Sequence, residues 1–140
     1  MLVKDVMARN VMTTGPETGI KEAARTMADN RIGSLVVMKN GRMVGIITEH
    51  DILCALANSS GSEINSIKVG DAMTQYVIPI SPASSIETAV RLMNDNRVKK
   101  LPVIENETVV GIITASDIIT AQPGMISSMK RLISNRPKNK

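Results

Sequence analysis

The feature that most constrains this chain is that most of it is written twice. Shifted by 66 residues, Val3–Leu53 lies on Val69–Ile119 without a gap, and 22 of the 51 positions are identical. Chance at ordinary composition gives about 3. The identities cluster. Asp29-Asn30-Arg31 falls on Asp95-Asn96-Arg97, Val44–Thr48 on Val110–Thr114, and Asp51-Ile52 on Asp117-Ile118. The repeat divides the chain into a first copy over 1–57, a polar linker over 58–68, a second copy over 69–122 and a basic C-terminal tail over 123–140.

Each copy carries the same pattern of elements. Apolar residues Ile20, Ala23, Ala24 and Met27 recur at steps of three and four, which predicts a helix from about Gly19 to Asn30 with one apolar stripe. Ile86, Ala89, Val90 and Met93 repeat that stripe, and Ser84 with Glu87 reads as a capping box at its start. Two apolar runs follow, Ile32–Met38 and Met43–Thr48. They flank Lys39-Asn40-Gly41-Arg42, and Asn-Gly is a strong hairpin signal. In the second copy Val98–Ile104 and Val109–Thr114 flank Glu105-Asn106-Glu107-Thr108, where the glycine is missing. A second helix starts near Glu49 and again near Ala115. Val11–Thr14 and Val77–Ile80 each suit a short strand ahead of these elements. The expected fold is therefore α/β (α+β), two β-α-β-β-α repeats. A three-stranded sheet with helices on one face leaves apolar surface uncovered, so the copies are expected to pack as a pseudo-two-fold pair with clefts where they meet.

Composition excludes several classes. With 43% hydrophobic residues the chain is not intrinsically disordered. No apolar run approaches the roughly 18 residues of a membrane span, and the start lacks the apolar core of a signal peptide. Cys54 stands alone, so no internal disulfide forms and a cytoplasmic location is expected. Tyr76 is the one aromatic residue, against the several that stacking on single-stranded nucleic acid needs. The net charge of +4 comes from the end of the chain. Lys130, Arg131, Arg136, Lys138 and Lys140 lie in the tail with no acid among them, which reads as a solvated, partly disordered end.

The sharpest chemical feature is Gly-x-x-Thr-x-x-Asp at each strand-to-helix junction, Gly45/Thr48/Asp51 and Gly111/Thr114/Asp117. One reading is local: Thr caps the helix, Asp complements its positive end, and Gly permits close packing. The other is functional: a carboxylate at such a junction can accept bonds from a ribose diol. Lys99 and Lys100 read as surface lysines that guard an edge strand. His50, at a helix start, reads as solvent-facing. Cys54 reads as core, the ten methionines as core filler, and Arg31 and Arg97 as caps of their own helix ends. Catalysis finds no support: there is no phosphate loop, no His-Glu-x-x-His, and one His with one Cys makes neither a triad nor a metal cluster.

These motifs resemble the CBS domain (cystathionine β-synthase motif). The resemblance rests on Asp5-Val6-Met7 and Asp71-Ala72-Met73, on Asn30-Arg31 and Asn96-Arg97, on Leu101-Pro102-Val103, and on both Gly-Ile-Ile-Thr-x-x-Asp junctions. It covers Val3 to about Ala121, so the chain is similar to a tandem CBS pair, a Bateman module. The resemblance implies a regulatory module, not an enzyme, that binds an adenosine-type ligand such as AMP, ADP, ATP or an S-adenosylmethionine-type compound, with no required cofactor. It assigns the ribose to Asp51 and Asp117 and a ribose or phosphate contact to Thr48 and Thr114. The adenine edge goes to Val11, Met12, Thr13 and Thr14, and to Val77, Ile78, Pro79 and Ile80. Residues opening the second strand then meet phosphate from the other copy: Lys99 and Lys100 toward the Asp51 ligand, Gly33 and Ser34 toward the Asp117 ligand. One site would therefore carry cations and the other none. His50 and Ser116 stand where many members have arginine. The resemblance also implies a homodimer joined through apolar helix faces, and an output through an unidentified protein partner. Two other readings compete: a nucleic-acid-binding protein working through the basic tail, and an assembly scaffold that binds no ligand.

Overall fold

A computed structural model of the chain describes residues 1–133. Arg136, Lys138 and Lys140 of the tail lie outside the described residues. The first copy contains α1 (Val3–Val6), β1 (Thr13–Thr14), α2 (Ile20–Asn30), β2 (Ser34–Lys39), β3 (Arg42–Thr48) and α3 (Glu49–Ala57). After a 3₁₀ turn at Ile64–Ser66, the second contains α4 (Val69–Ala72), α5 (Ile86–Asn96), β4 (Lys100–Glu105), β5 (Thr108–Thr114) and α6 (Ala115–Ala121). The class is the mixed α/β one that the periodicities predict.

Both hairpins form, and with the same turn. β2 pairs antiparallel with β3, and β4 with β5. Asn40 and Gly41 both take positive φ, and so do Asn106 and Glu107. Two such residues in a two-residue loop match the right-handed strand twist. The second hairpin therefore closes without glycine, and Glu107 sits in the left-handed region with φ 65°. Arg31 and Arg97 share that backbone state at the ends of α2 and α5. It is their backbone N–H groups that satisfy the last carbonyls, in place of the side-chain cap expected from sequence.

The third strand appears in one copy only. β1 lies parallel on β2, and the Val36 N–H donates to the Met12 carbonyl at 3.1 Å. The residue matching Val36 is Pro102, which has no N–H, and Pro79 removes a further donor. The expected strand at Val77–Ile80 shrinks to a bridge between Ile80 and Val103. The helix cap of α5 also differs from the sequence reading. Ser85, not Ser84, accepts the Thr88 N–H, while the Ser84 carbonyl receives the Val3 N–H at 2.8 Å.

The compact units are offset from the sequence repeats. One is Val11–Val77; the other is Met1–Asn10 together with the described residues from Ile78 to Ile133. In the first unit Val69 N–H donates to Thr18 O, Gly70 N–H to Pro16 O, and Ile20 N–H to Ile67 O. In the second, Val3 N–H donates to Ser84 O, Lys4 N–H to Pro82 O, and Ile86 N–H to Met1 O. These are the same three bonds shifted by 66 residues. The short helix that opens each sequence copy therefore belongs to the unit built on the other copy's strands. Val69 and Val3 are fully buried in the two cores. An exposed ion pair, Lys68 to Glu17 at 2.8 Å, sits beside the first of these junctions. Its hydrogen bond holds the Glu17 carboxyl below its ordinary range and the Lys68 ammonium above its own.

A glycine makes this junction possible. A Cβ on Gly45 would lie 2.7 Å from the Thr74 carbonyl, and one on Gly111 would lie 2.6 Å from Met7 Sδ and 2.8 Å from the Ala8 carbonyl. The group that packs closely on the glycine is thus an extended Met-Thr or Met-Ala segment.

The cores follow the stripes. Ile20, Ala23 and Met27 of α2 pack with Leu35, Val37 and Ile47; Ile86, Ala89, Val90 and Met93 of α5 pack with Leu101, Val103 and Ile113. The start of the basic tail belongs to the second core. A 3₁₀ segment (Pro123–Met129) and α7 (Lys130–Ile133) follow α6. Met129 and Leu132 are buried, and the Asn94 side-chain amide donates to the Ser128 carbonyl at 2.8 Å. The solvated end expected from residue 123 is thus a docked segment as far as residue 133, because Met129 and Leu132 supply apolar surface that the charge count overlooked. Among the described residues no helix is long and apolar enough to cross a membrane.

Three outcomes follow for thermal and denaturant unfolding. Gly45→Ala or Gly111→Ala destabilises by about 1–3 kcal/mol, whereas Gly124→Ala, with open space around it, stays within about 0.5 kcal/mol. Glu107→Gly stabilises by about 1 kcal/mol through relief of the left-handed backbone. Met129→Ala costs about 2–5 kcal/mol.

Candidate functional site

The two Thr-x-x-Asp junctions build the same small structure. Thr48 ends β3 and caps α3. Its Oγ1 accepts the Asp51 N–H at 3.2 Å, and Asp51 Oδ2 accepts the Thr48 N–H at 3.0 Å. At Thr114 and Asp117 the distances are 3.0 and 3.1 Å. The capping reading of this motif is therefore realised in both copies. Each box satisfies two backbone donors at a helix start and spends one carboxylate oxygen doing so. Both acids remain half-buried at a strand end. A carboxylate has about four acceptor positions, so each retains capacity for a ligand hydroxyl.

Backbone bonds draw further candidates to these junctions. The Gly33 carbonyl accepts the Glu49 N–H at 3.1 Å, and Ser34 pairs with Thr48 across the hairpin. In the other unit the Lys99 carbonyl accepts the Ala115 N–H at 2.8 Å, and Lys100 pairs with Thr114. One unit thus gathers Gly33, Ser34, Thr48 and Asp51; the other gathers Lys99, Lys100, Thr114 and Asp117. Lys99 is exposed and Lys100 half-buried. Thr13 and Thr14 form β1, with Val11 and Met12 leading into it, and Met12 is exposed. Val77 and Ile78 are half-buried, Pro79 is exposed, and Ile80 is buried on β4.

His50 and Ser116 are exposed, as the helix starts suggested. Cys54 is exposed too, against the expectation of a core position. α3 buries Ile52, and two residues on the helix has turned about 200°. Cys54 instead lies one turn from His50, with Sγ 3.4 Å from Nε2. Among the described residues no group of three or more potential ligands could hold a metal ion.

Sequence reasoning missed Thr74. It follows α4, and its backbone pairs with Ile46 in both directions at 2.8 and 3.0 Å. That pairing sets its hydroxyl 3.2 Å from Asp51 Oδ1 and 3.3 Å from Oδ2. The signal available in sequence was the 66-residue register. Ala8 is the matching residue and pairs with Ile112 in the same way, at 2.8 and 3.0 Å. A shallow depression of about 520 Å³ also borders Asp51, lined by Glu63 and Asp71 among others, with no basic residue in its lining. The Ser60 backbone N–H holds the Glu63 carboxyl below its ordinary range. Such a lining does not suit a phosphate.

The model of the CBS domain family matches residues 3–58 and 69–124. An inosine-5'-monophosphate dehydrogenase of Thermoplasma acidophilum is 36% identical over 118 residues, 84% of this chain. This chain spans 23% of that enzyme's length. Among solved structures, the CBS-domain containing protein ATU1752 from Agrobacterium tumefaciens superposes with a TM-score of 0.81 at 33% identity, covering 87% of this chain and 99% of that one. The CBS domain pair of protein MJ0100, solved in complex with 5'-methylthioadenosine and S-adenosyl-L-methionine, gives 0.79 at 30% identity, covering 89% and 97%. With both repeats matched and both Thr-x-x-Asp junctions built alike, the chain belongs to the CBS-domain family as a tandem pair.

Proposed function

We propose that this CBS pair is a regulatory module that senses an adenosine-containing ligand through the Asp51 and Asp117 carboxylates. The observation that carries this reading is the state of those carboxylates. Each is half-buried and oriented by its own helix cap, with acceptor capacity left over. A ribose offers two adjacent O–H donors, and charge-assisted bonds to a carboxylate are among the stronger ones. The structural similarity to a pair solved with two adenosine derivatives supports the ligand class.

Apolar and backbone groups of Val11–Thr14 and Val77–Ile80 would take the base. Lys99 and Lys100 would supply the cations for a phosphate-bearing ligand such as AMP, ADP or ATP. Gly33 and Ser34 carry no charge and suit a neutral adenosine compound. Binding would favour one arrangement of the pair, and the shift in population would be the signal. A homodimer, or a protein partner, would read it out. No catalytic step is assigned.

The test is calorimetry of ligand-free protein against adenosine, AMP, ATP, 5'-methylthioadenosine and S-adenosylmethionine. Saturable binding is expected, weakened tenfold or more by Asp51→Ala or Asp117→Ala at the site concerned. Lys99→Ala with Lys100→Ala is expected to weaken AMP and ATP while sparing adenosine. Absence of binding by all five ligands, with folded protein, would overturn the proposal.

A further inference from the structure

The two acids are chemically equivalent in sequence but not in their surroundings. Thr74 Oγ1 stands 3.2 and 3.3 Å from the two oxygens of Asp51. Near-equal distances place this hydroxyl astride the open edge of the carboxylate. That edge is where a vicinal diol would set its own two hydroxyls, one on each oxygen. Oδ2 is already engaged by the Thr48 N–H, so Thr74 occupies the better part of what the cap leaves free. Both distances are longer than the 2.7–2.8 Å typical of O–H···O bonds, so the contact is a weak one that a ligand can displace. At Asp117 the Thr114 N–H is bonded in the same way, but the register position of Thr74 is filled by Ala8, which has no hydroxyl. Oδ1 of Asp117 accepts no hydrogen bond from protein among the described residues.

We propose that Thr74 is a specificity-determining residue that acts as an internal competitor for diols at Asp51, and that the Thr74/Ala8 difference makes Asp117 the stronger diol acceptor. This rests on the reading of both acids as ribose-binding groups. The hydroxyl presents to Asp51 the same O–H donor that a ribose presents. A ligand with a 2',3'-diol must displace it, and a ligand without the diol need not. The competition is internal and does not depend on concentration, so it scales down diol affinity at one acid by a constant factor.

The experiment isolates each acid by removing the other. In an Asp117→Ala background, Thr74→Val keeps the shape and the backbone pairing with Ile46 but removes the donor. Adenosine binding at Asp51, read by calorimetry, is expected to tighten about threefold to tenfold, the worth of one displaced hydrogen bond. Thr74→Ser retains the hydroxyl and is expected to behave as the parent. Binding of 2',3'-dideoxyadenosine should respond to neither change, a selectivity that a merely structural role would not produce. In an Asp51→Ala background, Ala8→Thr is expected to weaken adenosine by a similar factor. Unchanged or weaker adenosine binding in Thr74→Val, with Asp51→Ala still abolishing that site, would overturn the competitor role and leave the ribose reading intact. Adenosine binding indifferent to both Asp51→Ala and Asp117→Ala would overturn both.

Discussion

The structure depends on a backbone contact that only glycine permits. Met73–Thr74 runs against β3 at Gly45, and Met7–Ala8 runs against β5 at Gly111, each within a distance that a Cβ would forbid. Two backbone hydrogen bonds per crossing then tie the segment to the strand. Because the segment that crosses comes from the head of the other sequence copy, neither copy supplies a complete unit from one continuous stretch of repeat. Val3 and Val69, fully buried, carry the apolar part of the same exchange. Loss of the crossing would expose an apolar side chain and leave backbone donors and acceptors unpaired in one stroke.

The same crossing reaches the candidate binding groups. It sets residue 74 beside the Asp51 carboxylate, and in the other unit it leaves an alanine at the matching place. The carboxylates themselves are held by the capping boxes that start α3 and α6. On the proposed reading, folding and recognition draw on one set of hydrogen bonds. The cap satisfies the helix start and, by fixing one oxygen, aims the other. Capping and ligand binding, which looked like rival readings of Thr-x-x-Asp, are compatible because a carboxylate accepts more bonds than the cap uses.

Much of this was legible from residues alone. The stripe Ile86, Ala89, Val90 and Met93 is buried as its spacing demands, and the Asn-Gly turn and the Thr caps of α3 and α6 lie where the patterns put them, whereas the cap of α5 falls on Ser85 in place of Ser84. These are local features, decided within one or two turns of chain. The failures were tertiary. Cys54 looked like core because it falls on the apolar side of its helix, yet α3 buries only Ile52. The second hairpin is no failure: it forms between the two apolar runs as expected, with Asn106 and Glu107 at positive φ in place of an Asn-Gly pair. Pro102, read as part of a family motif, proved to be the residue that denies the second copy its third strand. Met129 and Leu132 lay in a segment read by its charge and turned out to complete a core.

By itself, the sequence determined the repeat, the class of fold, the family, and the two acids placed at equivalent strand-to-helix junctions. Those follow from periodicity, from turn chemistry and from residue spacing, all of which act over short distances along the chain. Only the tertiary structure decided which unit each short opening helix joins, and therefore that Thr74 meets Asp51 across 23 residues of sequence while Ala8 takes the same place toward Asp117. The reason is physical: a hydrogen bond between distant side chains exists only after backbone packing has set their positions. No local pattern encodes that step until the crossing at each glycine is made.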